Sequence, residues 1–296
     1  MGAPQDIIKS PEGRARMEAF YERFLARLPA PTERTSITTR HGSTNVLTFG
    51  PAEAPPLLVL HGALAGAPHA LGELRGLLDR YRVVAPDIVG QSVASAPTRP
   101  AFDAAGFGGW AMDVLDAMKL ERAHVLGVSW GGAVAMQLAQ HAPDRVDRLA
   151  LLVPAGLVSG SAWQGLTKVA WPMLRWKLRP TDANLRSMLA ANFTTFEPLW
   201  TEFMAEALAS VRIDFTAPPL ATPEAFAGFT RPTMVVAAEH DVSFPGSALL
   251  ERAALVFPNL VRTELLEGSK HCPPFDDEFR DWLASAVDAF LSDPLS

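Results

Sequence analysis

A serine flanked by glycines two places to either side, between an apolar run and a helix-forming run, can carry nucleophilic chemistry. That arrangement occurs at Gly127-Val128-Ser129-Trp130-Gly131-Gly132. Ala123 to Val128 reads as a strand, and the segment from Ala133 to Ala139 as a helix. Ser129 then sits at the tip of a tight strand-to-helix turn of the Gly-x-Ser-x-Gly kind. A Cβ at position 127 or 131 would crowd the close approach of strand and helix. The turn lifts the hydroxyl clear of the sheet edge. It also aims the first N–H groups of the helix at whatever Ser129 attacks.

A serine hydroxyl is a poor nucleophile at neutral pH and needs a base. Of the seven histidines, His271 is the candidate, in the loop Gly268-Ser269-Lys270-His271-Cys272-Pro273 between the last strand and the last helix. Open α/β sheets place their ligand sites at the C-terminal edge of the strands, where this loop belongs. A lone histidine is ordinarily a surface residue. The chain order serine, acid, histidine favours the base reading. The base needs a carboxylate to hold its tautomer, and Glu239-His240-Asp241 offers two acids after the strand Thr233 to Ala238. Asp241 lies further past the strand end, where a loop can turn it toward His271. Glu239 is closer to the strand and suits a structural hydrogen bond, and Asp214 is an outsider. The attacked carbonyl oxygen becomes negative, and losing one backbone donor to it costs about 3 kcal/mol. The N–H groups of Trp130 and of Ala63, in His61-Gly62-Ala63-Leu64, are the expected donors, with His61 in a structural role.

These groups need a scaffold. Ser10-Pro11-Glu12 opens a helix whose apolar face runs from Met17 to Leu28. Two strands, Thr35 to Thr39 and Asn45 to Phe49, flank a turn at His41-Gly42-Ser43. Leu57 to Leu60 reads as a buried parallel strand. A helix over His69 to Asp79, a strand over Tyr81 to Ala85, a helix over Phe107 to Met118 and a strand over Arg148 to Val153 follow. From Pro154 to Phe229 strand-like runs stop, and tryptophan, methionine and proline accumulate. The alternation resumes with Thr233 to Ala238, a helix over Ser247 to Val256, a strand over Arg262 to Leu266 and a helix over Asp276 to Leu291. The expected fold is α/β, a mainly parallel sheet flanked by helices. Residues 1–153 and 230–296 form its core, with the N-terminal helix 10–28 packed on it. Residues 154–229 form a helical cap inserted after the strand that follows the helix after Ser129.

The chain of 296 residues can bury a large core, and its net charge of −6 offers no broad basic surface to nucleic acid. Cys272 is the only cysteine, which excludes an intrachain disulfide or a cysteine-based zinc site. No metal cluster, phosphate loop or dinucleotide fingerprint occurs, so no cofactor is expected; Gly106-x-Gly108-Gly109 lacks the spacing. No apolar run is long enough to cross a bilayer, and Met1 to Asp6 lacks the apolar core of a signal peptide. The expectation is a soluble cytoplasmic protein, monomer or homodimer, with a small-molecule substrate and no membrane partner.

Five segments together resemble the α/β-hydrolase-fold serine hydrolases: His61-Gly62-Ala63, Asp87-Ile88-Val89-Gly90, Gly127-Val128-Ser129-Trp130-Gly131-Gly132, Glu239-His240-Asp241 and Gly268-Ser269-Lys270-His271. The resemblance covers nearly all of the chain after the N-terminal helix. It implies acyl-enzyme chemistry with Ser129 as nucleophile, Asp241 as acid and His271 as base. His61-Gly62-Ala63-Leu64 and the Glu-His-Asp loop look like the carboxylesterase branch. Two stretches depart from the family pattern: Gly90-Gln91-Ser92-Val93-Ala94-Ser95 after the aspartate, and Ser269-Lys270 before the histidine. An apolar cap over the nucleophile points to a hydrophobic pocket, with Leu64, Trp163, Phe193 and Val242 as candidate wall residues. The expected substrates are small to medium carboxylic esters with an apolar or aromatic part. The same triad would serve carbon–carbon bond or lactone hydrolysis, and a slow-turnover ligand-binding receptor is the reading from another class.

Overall fold

The computed structural model describes residues 6–214 and 216–293. Met1 to Gln5, read above for the absence of a signal peptide, lies outside the described residues. The order of elements is α1 (Pro11–Leu25), β1 (Glu33–Thr39), β2 (Gly42–Phe49), β3 (Pro56–Leu60), α2 (Ala67–Glu73), β4 (Arg82–Pro86), α3 (Gly109–Ala117), β5 (Ala123–Val128), α4 (Trp130–His141) and β6 (Val146–Leu152). Then come α5 (Ala162–Gln164), α6 (Trp171–Leu178), α7 (Asp182–Leu189), α8 (Pro198–Ser210) and α9 (Pro223–Phe226). The chain ends with β7 (Thr233–Ala238), α10 (Gly246–Val256), β8 (Leu260–Leu266) and α11 (Asp277–Leu291).

The strands form one eight-stranded sheet in the order β1-β2-β4-β3-β5-β6-β7-β8. β1 and β2 are antiparallel to their neighbours, and β4 onward is parallel. Successive strand residues go to opposite faces. Leu58, Leu60, Val125 and Val235 enter one buried cluster with α3, α4 and α10. Leu57, Val59, Leu126 and Val236 enter the other with α2 and α11. Both faces are thus covered, which is why the parallel strands read as unbroken apolar runs rather than as alternation.

Two elements differ from expectation. The helix expected over His69 to Asp79 stops at Glu73, and a 3-10 turn follows at Arg75–Leu77. Gly72 and Gly76 each make a continuous helix about 1 kcal/mol less favourable than alanine would. The first hairpin turns at Arg40-His41, with Gly42 already paired to Thr39. α1, expected on the core, packs on α2 with Leu25 against the same apolar cluster, and it also meets α8. It lies between α2 and α8, and its Met17 and Phe24 pack with Leu199, Phe203 and Ala207 of α8. Among the described residues, 154–229 contributes helices and loops and no strand of the sheet.

α1, α2 and α8 meet around His69, whose ring centroid lies 4.1 Å from that of Phe24 and 4.2 Å from that of Phe203. Its Nδ1 accepts the Gly66 N–H at 3.1 Å, so the proton sits on Nε2. Burial, reinforced by His61, depresses its pKa to about 3 from an ordinary 6.5. Unfolding therefore releases a group that takes up a proton below pH 6.5, and stability is lost as pH falls from 6.5 toward 3. Burial shifts His61 and His124 in the same direction. Urea unfolding at pH 7 and pH 5 should show wild-type stability dropping on acidification. In His69→Gln the drop should be smaller, by up to about 1.4 kcal/mol per pH unit.

Candidate active site

Ser129 follows β5 with φ +50° and ψ −111°, a left-handed backbone rare for a residue with a side chain. The surroundings hold it there. Its N–H donates to Leu152 O at 2.9 Å, and its carbonyl accepts from Gly132 at 2.9 Å and from Ala155 at 3.0 Å. The glycines make this fit possible. A Cβ on Gly131 would stand 2.1 Å from Leu60 O, and one on Gly127 2.5 Å from Gly131 O. The start of α4 thus presses against the end of β3, and strain at Ser129 is over-determined by its neighbours.

Ser129 Oγ lies 2.9 Å from His271 Nε2, and His271 Nδ1 lies 2.6 Å from Asp241 Oδ2. The Asp241 side chain is fully buried, that of His271 slightly exposed. The other carboxylate oxygen of Asp241 accepts the N–H groups of Ser243 at 2.7 Å and Phe244 at 3.0 Å. With both oxygens bonded, the carboxylate is fixed in place, and the Phe244 ring stands edge-on to the imidazole. Glu239 is exposed and accepts the Gly268 N–H at 2.8 Å, which braces the histidine loop. Asp214 is drawn elsewhere, to the Thr216 N–H and toward Arg99. The three groups expected from the sequence are thus brought together across residues 129, 241 and 271.

The loop 61–64 lies against the serine, for a Cβ on Gly62 would come within 3.7 Å of Ser129 Cβ. Leu64 takes φ +61°, and its N–H reaches Gln91 Oε1 at 3.4 Å. Among the described residues the N–H groups of Ala63 and Trp130 have no protein acceptor. His61 is buried, accepts the Ile88 N–H on Nε2 at 2.8 Å and donates from Nδ1 to Gly62 O at 2.7 Å. Both its nitrogens are used, which leaves no lone pair for a second base.

Behind this loop lies a buried carboxylate whose partners the sequence did not reveal. Asp87 Oδ1 accepts from the Ala67 N–H at 2.9 Å and Ser92 Oγ at 2.7 Å. Its Oδ2 accepts from Tyr21 Oη and Asn45 Nδ2, each at 2.8 Å. Burial and the Asp87 charge raise the Tyr21 pKa, so the phenol stays a donor. The unusual stretch after Gly90 finds its use here, since Ser92 holds Asp87 and Gln91 holds Leu64.

The histidine loop is also bonded to residues 190–195. Thr194 Oγ accepts the Lys270 N–H and donates to Cys272 O, both at 2.8 Å. Cys272 N–H donates to Asn192 O at 2.7 Å, and Lys270 Nζ to Ala190 O at 2.7 Å. Lys270 therefore points to a carbonyl rather than at the imidazole. Thr194→Val removes a side-chain hydrogen bond on either side of His271 and loosens the loop, which the main-chain bonds still hold in place. Turnover should fall by about 10- to 100-fold, with KM little changed. Steady-state kinetics beside a wild-type circular dichroism spectrum would check it.

The expected wall residues divide. Val242, next to Asp241, lines a cavity of about 410 Å³ with Lys168, Pro172, Ser187, His240 and Lys270. Leu64 is half-buried and packs against the apolar clusters of α8 and α7. Phe193 is no free wall: it is buried, with its ring centroid 6.0 Å from Phe196 and 5.3 Å from Phe275. Trp163 stands 70 % exposed on α5 and makes no ring contact with the triad. The Trp130 indole packs on Phe102, with ring centroids 4.9 Å apart. Among the described residues no group of three or more His, Cys, Asp or Glu side chains could hold a metal, and no helix is long and apolar enough to cross a membrane.

Residues 55–209 match a family model described as the alpha/beta hydrolase fold. A carboxylesterase of Bacillus subtilis, YbfK, is 33 % identical over 144 residues, 49 % of each chain. A 2-hydroxymuconate semialdehyde hydrolase of Pseudomonas is 33 % identical over 138 residues, 45 % of this chain and 46 % of its own. The chain thus spans about half the length of the curated relatives it matches. The crystal structure of naproxen esterase from Bacillus subtilis superposes with a TM-score of 0.82 at 23 % identity, over 96 % of this chain and 100 % of that one.

Proposed function

The chain belongs to the α/β-hydrolase fold family, and on that footing we propose that it is a serine hydrolase that cleaves carboxylic esters through an acyl-enzyme. The observation that carries the reading is the unbroken relay from Ser129 Oγ through His271 to Asp241. His271 Nε2 takes the hydroxyl proton as Ser129 attacks the carbonyl carbon. Asp241 holds the Nδ1 proton in place and stabilises the imidazolium. The N–H groups of Ala63 and Trp130 receive the oxyanion. His271 then gives its proton to the departing alcohol. Water, deprotonated by the same nitrogen, attacks the acyl group and frees Ser129.

The half-buried Leu64 and the Phe244 ring beside His271 support small to medium esters with an apolar or aromatic moiety. Residues 154–229 act as the cap in this reading, and the rest forms the core. Similarity to a carboxylesterase supports the same substrate class. A panel of p-nitrophenyl esters of increasing acyl length tests it: multiple turnover is expected, and a folded protein with no turnover on any of them overturns it. Similarity to a 2-hydroxymuconate semialdehyde hydrolase favours a second reading, carbon–carbon bond hydrolysis by the same triad. Faster cleavage of a vinylogous diketone than of any ester would select it. A ligand-binding receptor would instead label at Ser129 with a fluorophosphonate yet turn over esters slowly.

A further inference from the structure

The run 162–178 is helical without a break, through α5, a π-helical turn at Gly165–Ala170 and α6, and none of its residues is buried. Trp163, Leu166, Trp171, Leu174 and Leu178 are all exposed, from 47 % at Leu174 to 73 % at Leu178. They follow one another at steps of three, five, three and four. A π-turn repeats at five rather than four, so it absorbs the long step and keeps them on one face. A folded chain leaves so large a continuous apolar face where something else covers it.

The charges beside that face indicate what covers it. Lys168, Arg175 and Lys177 are exposed on the same run, and Arg179 is exposed directly after it. No Asp or Glu occurs between Asp147 and Asp182, although the whole chain carries −6. Among the described residues no carboxylate lies within salt-bridge distance of these four cations, and Arg175 finds only the amide oxygen of Asn184. Positive charge continues onto neighbouring segments: burial and then the charges of Lys177 and Arg212 hold Lys9 below the ordinary lysine pKa. A second copy docked by two-fold symmetry would set this positive face against itself. An anionic lipid surface complements both features, since tryptophan and leucine seat at the headgroup level and lysine and arginine meet the lipid phosphates.

We propose that the helical run 162–178 docks the protein on an anionic lipid surface. It stands against the expectation of no membrane partner. It is independent of the ester reading, because docking is measured without turnover. The test is co-sedimentation of the full chain with phosphatidylcholine vesicles and with phosphatidylcholine–phosphatidylglycerol vesicles. The protein should pellet with the anionic vesicles and be released by high salt. Trp171→Gln/Leu174→Gln/Leu178→Gln removes three of the five apolar residues, and Arg175→Glu/Lys177→Glu reverses two of the four charges. Each should weaken partitioning more than about tenfold while the melting temperature stays near that of wild type. Wild-type protein left in the supernatant with both kinds of vesicle overturns the proposal. So does equal binding by both variants. A wild-type dimer in gel filtration that the triple variant dissolves would assign the face to a second copy instead.

Discussion

Ser129→Ala should lower kcat by about a millionfold and leave the fold intact. The backbone at 129 is held by Leu152, Gly132 and Ala155 through main-chain groups that alanine keeps. The strained turn therefore survives the loss of the hydroxyl. His271 then faces a methyl group and has no proton to take. Measured ester hydrolysis beside an unchanged denaturation midpoint separates loss of chemistry from loss of structure. Activity within about a hundredfold of wild type would mean another group attacks, against the near-total loss that removal of the nucleophile brings. The companion pair fixes the acid. Asp241→Asn should cost about 10⁴-fold, because an amide at Oδ2 no longer selects the working imidazole tautomer. Glu239→Gln, an exposed acid that only braces the Gly268 N–H, should stay within about twofold. The reverse ranking would move the acid to Glu239.

The second large effect is on stability. Asp87→Ala should destabilise the protein by about 4 kcal/mol or more, because it leaves several buried donors without an acceptor. Those donors come from Tyr21 of α1, Asn45 of β2, Ala67 at the start of α2 and Ser92 beyond β4. A domain has only about 5–15 kcal/mol in hand, so the variant stands near the edge of folding. Asp87→Asn keeps the volume but turns one acceptor into a donor facing donors, and should fall between the two. Urea unfolding reads both. A loss below about 1 kcal/mol in the alanine variant would show that water takes the place of the carboxylate, since that is the scale of one ordinary hydrogen bond.

The parts legible in the sequence were those written in consecutive residues. Gly127, Ser129 and Gly131 with an apolar run before them mark their turn in consecutive residues, although only the Gly127 clash is local and Gly131 makes room for Leu60 O on β3. Asp241 was legible from its distance past β7. The Asp87 hub was not, because its partners lie in four separate segments and a tyrosine, an asparagine and a serine look ordinary alone. Thr194 was hidden for the same reason: it meets Lys270 and Cys272 only once the chain has folded. Trp163 shows a different limit. Apolar composition marks a residue for contact with something, but not which side of the helix that something lies on, and the structure turns this side chain outward.

The hydrogen bonds from Thr194 to either side of His271 have a thermodynamic corollary. Order in residues 190–195 and alignment of the imidazole share one equilibrium. Any ligand that steadies that segment steadies the proton acceptor, and by reciprocity a well-placed imidazole tightens the segment in return. Order in the segment and alignment of the imidazole are then linked quantities. A substitution chosen to widen specificity around 190–195 changes the reaction rate as well.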